Sequence, residues 1–173
     1  MIVKKKIVIT GGTDGIGLAI AKELLKKNEN EIIIIGKNYK KGIQLIDSFN
    51  AKNINFIQCD LSEKKEILEL SKKLSELNKI DVLINNAGAM FSKRYTNSEN
   101  IEKTFALNHL SYFHLSLYLL KKIENSPEGK IINVASNAHK RYALDLNDIE
   151  NEKNYNGWKS YCRSKLLNLY FTY

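Results

Sequence analysis

The chain has 173 residues, 43% of them hydrophobic and 27% charged, with a formal net charge of +8. This length suits one domain spanning residues 1–173, with room for a real core, and the composition excludes a disordered or fibrous chain. No apolar run approaches the roughly 20 residues of a membrane span, and Met1-Ile2-Val3 leads into a strand with no room for a signal peptide, so the expected compartment is the cytoplasm.

The first predicted element is a buried strand at Ile7-Val8-Ile9, bounded by lysines and then by glycine. It runs into Thr10-Gly11-Gly12-Thr13-Asp14-Gly15-Ile16-Gly17, and Ile16, Ala19, Ile20 and Leu24 then recur at helical spacing up to Lys27. A glycine turn between a buried strand and a helix has the shape that holds a dinucleotide. Gly11 lets the strand turn sharply, Gly15 lets the backbone approach a pyrophosphate, and Gly17 lets the helix pack close. The helix start offers unpaired N–H groups and partial positive charge to the phosphates. Expected nucleotide contacts are therefore Gly11, Thr13, Asp14, Gly15, Ile16 and Gly17. An ordinary strand-to-helix turn is the competing reading.

The second strand, Ile32–Ile35, is β-branched throughout, which suits a parallel strand covered on both faces. Gly36-Lys37-Asn38 follows it, where an acid would bind the ribose hydroxyls and select NAD. Lys37 can instead pair with a 2′-phosphate, so NADP(H) is favoured and NAD(H) stays possible. A helix is predicted over Lys40–Phe49 and a third strand over Ile54–Ile57. Ser62 is the expected cap of the next helix, marked by Ile67, Leu70, Leu74 and Leu77. Val82-Leu83-Ile84 reads as the fourth strand. Asp60-Leu61 and Asn86-Ala87-Gly88 thus fall at C-terminal strand ends, where open α/β sheets bind ligands. Asp60 can accept from an adenine amino group, and Gly88 leaves space for a ribose.

A long helix over Ile101–Ile123 carries Asn108, and Ile131–Val134 is the fifth strand, followed by Ser136. A polar segment from Asn137 to Asn156 leads to a last helix that carries Tyr161 and Lys165. Strands alternating with helices predict an α/β, Rossmann-type, doubly wound parallel sheet of strand order 3-2-1-4-5. The pattern has a sixth strand, and the chain stops eight residues after Lys165, so the expectation is that one or more C-terminal strands are missing.

Tyr161 and Lys165 stand at i and i+4, on one face of a helix. Carbonyl reduction needs a proton donor for the developing alkoxide, and an ammonium beside a phenol favours the phenolate form that such a donor leaves behind. Ser136 could bond the substrate oxygen, and Asn108 could hold a water in a relay to Lys165. Cys59 and Cys162 lack metal-ligand spacing and read as free thiols, and His109, His114 and His139 complete no ligand set, so no metal is expected. Paired lysines such as Lys26-Lys27 and Lys72-Lys73 are spread over several helices and interleaved with glutamate, which suits solvated faces rather than a nucleic-acid surface.

These motifs, in this order, resemble the short-chain dehydrogenase/reductase family along the whole chain. Leu107-Asn108-His109-Leu110 with Phe113 and Leu115, Val134-Ala135-Ser136-Asn137-Ala138-His139, and Tyr155-Asn156 ahead of Tyr161-Cys162-Arg163-Ser164-Lys165-Leu166 are similar to its retinol-dehydrogenase-like branch, which includes the WW-domain oxidoreductases. Ala135 departs from the second serine common there. The resemblance implies a catalytic tetrad of Asn108, Ser136, Tyr161 and Lys165, with Tyr161 as acid/base and Lys165 also on the nicotinamide ribose. It implies an alcohol or carbonyl substrate and a homodimer through the 101–123 helix and the Tyr161 helix. An oxidoreductase is thus one reading. A non-catalytic nucleotide-binding module without a substrate lid, and a chain whose sheet is completed by a partner, are the others.

Overall fold

The computed structural model describes residues 4–173; the run Met1–Val3, expected to lead into the first strand, lies outside them. Five strands are present: β1 (Lys5–Thr10), β2 (Asn30–Gly36), β3 (Ile54–Gln58), β4 (Val82–Asn85) and β5 (Lys130–Asn133). They form one parallel sheet in the order β3-β2-β1-β4-β5. The connecting helices are α1 (Gly15–Leu25), α2 (Tyr39–Phe49), α3 (Lys64–Ser75), α4 (Lys103–Phe105), α5 (Ser111–Glu124) and α6 (Gly157–Thr172).

The period-2 alternation of the strands sorts their side chains into two cores. Ile7, Ile9, Ile32, Ile34, Ile54 and Ile84 face one side, where Ala21 and Leu24 of α1 and Leu45 and Ile46 of α2 cover them. Val8, Ile35 and Leu83 face the other, under Ile67, Leu70 and Leu74 of α3 and Leu115, Leu119 and Ile123 of α5. Covered on both faces, the strands can be isoleucine at nearly every position. β1 has β2 on one side and β4 on the other, so the winding reverses there. That reversal opens the crevice in which such sheets bind ligands.

Two local expectations are corrected. Ser62 does not cap α3: Glu63 is the cap residue and makes no side-chain bond to the helix. The Ser62 Oγ donates instead to Asp60 Oδ1 at 2.7 Å. The 101–123 helix begins at Lys103, because both Glu102 carboxylate oxygens accept from the helix start, at Thr104 N and Phe105 N, each at 2.8 Å. It is also interrupted by a π turn at Ala106–Leu110, with Asn108 at its centre. Such bulges gather at functional positions. No helix of the described residues is long and apolar enough to cross a membrane.

Candidate active site

Local geometry first sets the glycine turn. Gly11 and Gly15 have φ of +65° and +50°, the left-handed region that costs glycine nothing. A side chain at Gly15 would meet nothing within 4 Å, so the turn is open to solvent there. Asp14 caps α1, accepting from Gly15 N at 2.8 Å. The turn is then tied to the end of β4. Asn86 Nδ2 donates to the carbonyls of Thr10 (2.9 Å) and Gly11 (3.2 Å), and the Thr10 hydroxyl accepts from the backbone N–H groups of Asn86 and Ala87.

A cleft of about 470 Å³ opens from this turn. Its lining comprises Gly11, Thr13–Ile16, Asn86–Gly88, Val134–Ser136, Tyr161 and Lys165. The ends of β1, β4 and β5 thus meet α6 at one crevice. Gly17 and Asn108 stand behind the lining. Gly17 packs under the turn itself, against Gly11 O and Asn86, rather than against a strand.

Asn108 is fully buried, and its side chain is committed to neighbours. Its Nδ2 donates to Ala89 O (2.9 Å) and Ser164 Oγ (3.0 Å), and its Oδ1 accepts from Ala89 N (2.9 Å). Its backbone carbonyl accepts from Asn168 Nδ2 at 2.8 Å. Through this bond α6 holds the backbone of the π turn directly. Asn108 therefore pins the Gly88–Ala89 loop and α6 to the long helix.

Ser136 lies just past β5, where its Oγ accepts from Ala138 N at 3.2 Å and keeps its own proton free to donate. Tyr161 stacks on Trp158, with ring centroids 5.8 Å apart and planes at 17°. Lys165 is buried to 4% exposure. Its Nζ donates to Val134 O at 3.1 Å, and burial pushes its pKa down from 10.5 to about 8.

The low value has a sign that can be tested. Between about 8 and 10.5 the unfolded chain holds more protons at this position than the folded one, so stability rises with pH across that window. Below it the buried charge is a constant cost, about 3 kcal/mol from the shift in pKa. Lys165→Met removes that cost and loses one hydrogen bond worth about 1 kcal/mol. At pH 7 the variant is expected to be about 2 kcal/mol more stable in urea denaturation, with the gain fading toward pH 10.5. A variant less stable than wild type at pH 7 would contradict the assignment of burial as the cause.

At the outer end, Lys37 and Asp60 lie outside the cleft and pair with each other, Nζ to Oδ2, at 2.7 Å. Burial opposes the Asp60 charge, but Lys37 and two bonds from Ser62 outweigh it and hold the carboxyl below the usual range. The Leu61 side chain is buried in the core, so only its backbone can meet a ligand. Lys41, which sequence reasoning passed over, reaches from α2 to Asp14 at 2.5 Å. Its place in the first turn of α2, just after Lys37 and the cap residue Asn38, was the available signal. Trp158 and Thr10 were also missed. Arg163, between Tyr161 and Lys165, is buried and donates to Ala143 O, Asp148 O and Asn151 Oδ1, which anchors the loop that leads into α6.

Residues 5–146 match the short chain dehydrogenase family. The chain is 34% identical over 173 residues to human retinol dehydrogenase 11, covering 97% of this chain and 54% of that protein. It is 32% identical over 176 residues to human polyprenol dehydrogenase, covering 96% of this chain and 53% of that protein. The chain thus spans about half the length of the curated relatives it matches. A crystal structure of an uncharacterised protein from Mycobacterium Paratuberculosis superposes with a TM-score of 0.86 at 28% identity, over 98% of this chain and 60% of that one. The bulky-bulky ketone specific alcohol dehydrogenase from Comamonas testosteroni shares the fold, with a TM-score of 0.77 at 23% identity, over 98% of this chain and 65% of that one.

Proposed function

The chain belongs to the short-chain dehydrogenase family, and from that premise we propose that it interconverts an alcohol and a carbonyl with NADP(H), using Tyr161 as acid/base. One observation carries the reading: Tyr161 and Lys165 line the same cleft as the glycine turn. The turn suits a dinucleotide because Gly15 faces open space at positive φ, at the start of α1, where a side chain would fill the phosphate cradle. Gly11, Thr13–Ile16 and Asn86–Gly88 would hold the cofactor, whose bound nicotinamide supplies or takes the hydride.

The chain's own residues handle the proton. Ser136 donates a hydrogen bond to the substrate oxygen, and the Tyr161 hydroxyl gives that oxygen its proton as the alkoxide develops. The Lys165 ammonium stabilises the negative charge that remains on the phenol. Asn108 holds Ser164 and the Gly88 loop, and so keeps α6 in register with the cleft. An apolar substrate fits the exposed Met90, Tyr95, Tyr142 and Leu146 in the loops that follow β4 and β5, and two relatives are named for the apolar alcohols retinol and polyprenol. The free, buried Cys59 and Cys162 suit a reducing compartment, the cytoplasm. Exposed Phe113, Leu117, Leu120 and Tyr170 on α5 and α6 suit a homodimer face.

Fluorescence titration with NADPH and NADH, followed by a screen of apolar aldehydes and ketones, tests the reading. Tighter NADPH binding with turnover supports it. Saturable binding without turnover of any carbonyl would mark a nucleotide-binding module instead, and no binding would remove the reading altogether. For cofactor choice, Lys37 must exchange Asp60 for the 2′-phosphate. Lys37→Ala is therefore expected to weaken NADPH about tenfold and NADH less than about twofold. Equal weakening of both would assign Lys37 to the fold and leave NAD(H) in contention.

A further inference from the structure

Lys165 is a buried cation with little to solvate it. One backbone carbonyl, Val134 O, accepts from it, and no ion pair reaches it among the described residues. A buried ammonium so sparsely bonded is costly. Two rings stand over it: the Nζ lies 5.5 Å from the Tyr112 centroid and 5.7 Å from the Tyr161 centroid. Tyr161 belongs to the cleft. Tyr112 does not line it. It comes from α5, one turn beyond Asn108, and is completely buried. Among the described residues its hydroxyl has no hydrogen-bond partner, so what it offers its surroundings is the ring.

We propose that Tyr112 is a positioning residue for Lys165, its aromatic face holding the buried ammonium in place and in its charged form. A ring face attracts a cation within about 6 Å of its centroid, and most strongly where both are desolvated. The groups that the structure sets beside the ammonium are Tyr161 from α6, Tyr112 from the long helix, Gly88 from the loop after β4, and the Val134 carbonyl. None is a carboxylate or a second cation. His109, on the same π turn, is bonded to Asn168. Among the described residues no counter-ion is present, and the ring is a contact from α5 that favours charge over neutrality. The consequence for proton transfer rests on the role proposed above for Lys165.

The test is a pH titration of the Lys165 Cε resonance in protein labelled with ¹³C-lysine, assigned by its loss in Lys165→Arg. Position 112 carries Tyr, Phe, or Phe bearing one, two or five ring fluorines, which drain the ring face while nearly keeping its shape. Tyr112→Phe is expected to leave the midpoint within about 0.3 pH unit and the melting temperature no lower, because the lost hydroxyl was unpaired. Successive fluorination is expected to lower the midpoint in steps, by about one pH unit in all, a tenfold change in proton affinity. A midpoint that is flat across the series overturns the proposal. A shift at Tyr112→Phe with no further change on fluorination also overturns it, since the hydroxyl would then be the acting group. The measurement needs no turnover, so its outcome is separate from that of any carbonyl screen.

Discussion

Tyr161→Phe is expected to lower kcat for carbonyl reduction about 10³-fold, within the span that a positioned acid contributes, while the NADPH dissociation constant stays within about threefold. The substitution removes one hydroxyl and little else. The ring remains stacked on Trp158 at 5.8 Å and within 5.7 Å of Lys165, so the cleft keeps its shape. Proton delivery is what disappears. Trp158 is the only tryptophan in the chain, and its contact with Tyr161 makes its fluorescence a local reporter of binding in both proteins. A variant that keeps its rate within about tenfold would remove Tyr161 as the acid/base and direct attention to Ser136.

The second large effect is expected at the glycine turn. In Gly17→Ala the new Cβ would stand 2.3 Å from Gly11 O and 2.5 Å from Asn86 Nδ2. One of these is backbone and the other bonds that same backbone, so neither can rotate away. The turn and the end of β4 must separate. A stability loss of about 3 kcal/mol, at the upper end for overpacking, is expected in urea denaturation, with nucleotide binding weakened by at least about tenfold. Gly15→Ala is the control. It meets no atom within 4 Å and carries only the strain of φ +50°, so it should cost about 1–2 kcal/mol yet still impair nucleotide binding, because the Cβ projects into the phosphate cradle. If Gly15→Ala binds NADPH as wild type does, the cradle lies elsewhere. If Gly17→Ala folds and binds normally, the turn does not depend on its packing against Asn86.

Sheet edges and surface charges contribute less to these expectations than the interior does. Lys37 and Lys41 are exposed partners in the pairs with Asp60 and Asp14, and pairs with an exposed lysine add little to stability. Their interest is positional: two lysines stand near the outer end of the glycine turn, each already engaged with an acid. Binding of a phosphate there requires an exchange of partners, which is why the expected effect of Lys37→Ala on NADPH is only tenfold or so.

The sequence by itself determined the strands, their order and the place of the cleft. Runs such as Ile32–Ile35 can be buried on both faces only in a covered parallel sheet, and a glycine turn after β1 together with Ser136 after β5 marks the C-terminal edge. The i, i+4 relation of Tyr161 and Lys165 was equally legible, because helical spacing is a property of the local chain. What remained hidden depends on partners far apart in sequence. Ser62 has the chemistry of a helix cap, and only the nearness of Asp60 shows which acceptor it takes. Asn108 reads from the sequence as a catalytic residue that could hold a water, and only the fold shows the π turn and the bonds to Ala89, Ser164 and Asn168 that give it a structural task. That Lys37 and Lys41 are engaged with Asp60 and Asp14 is decided by the fold alone. Tyr112 carried no motif at all. Its place over Lys165 arises because α5 and α6 pack together across 53 residues of chain, and tertiary packing alone decides which buried groups surround a charge.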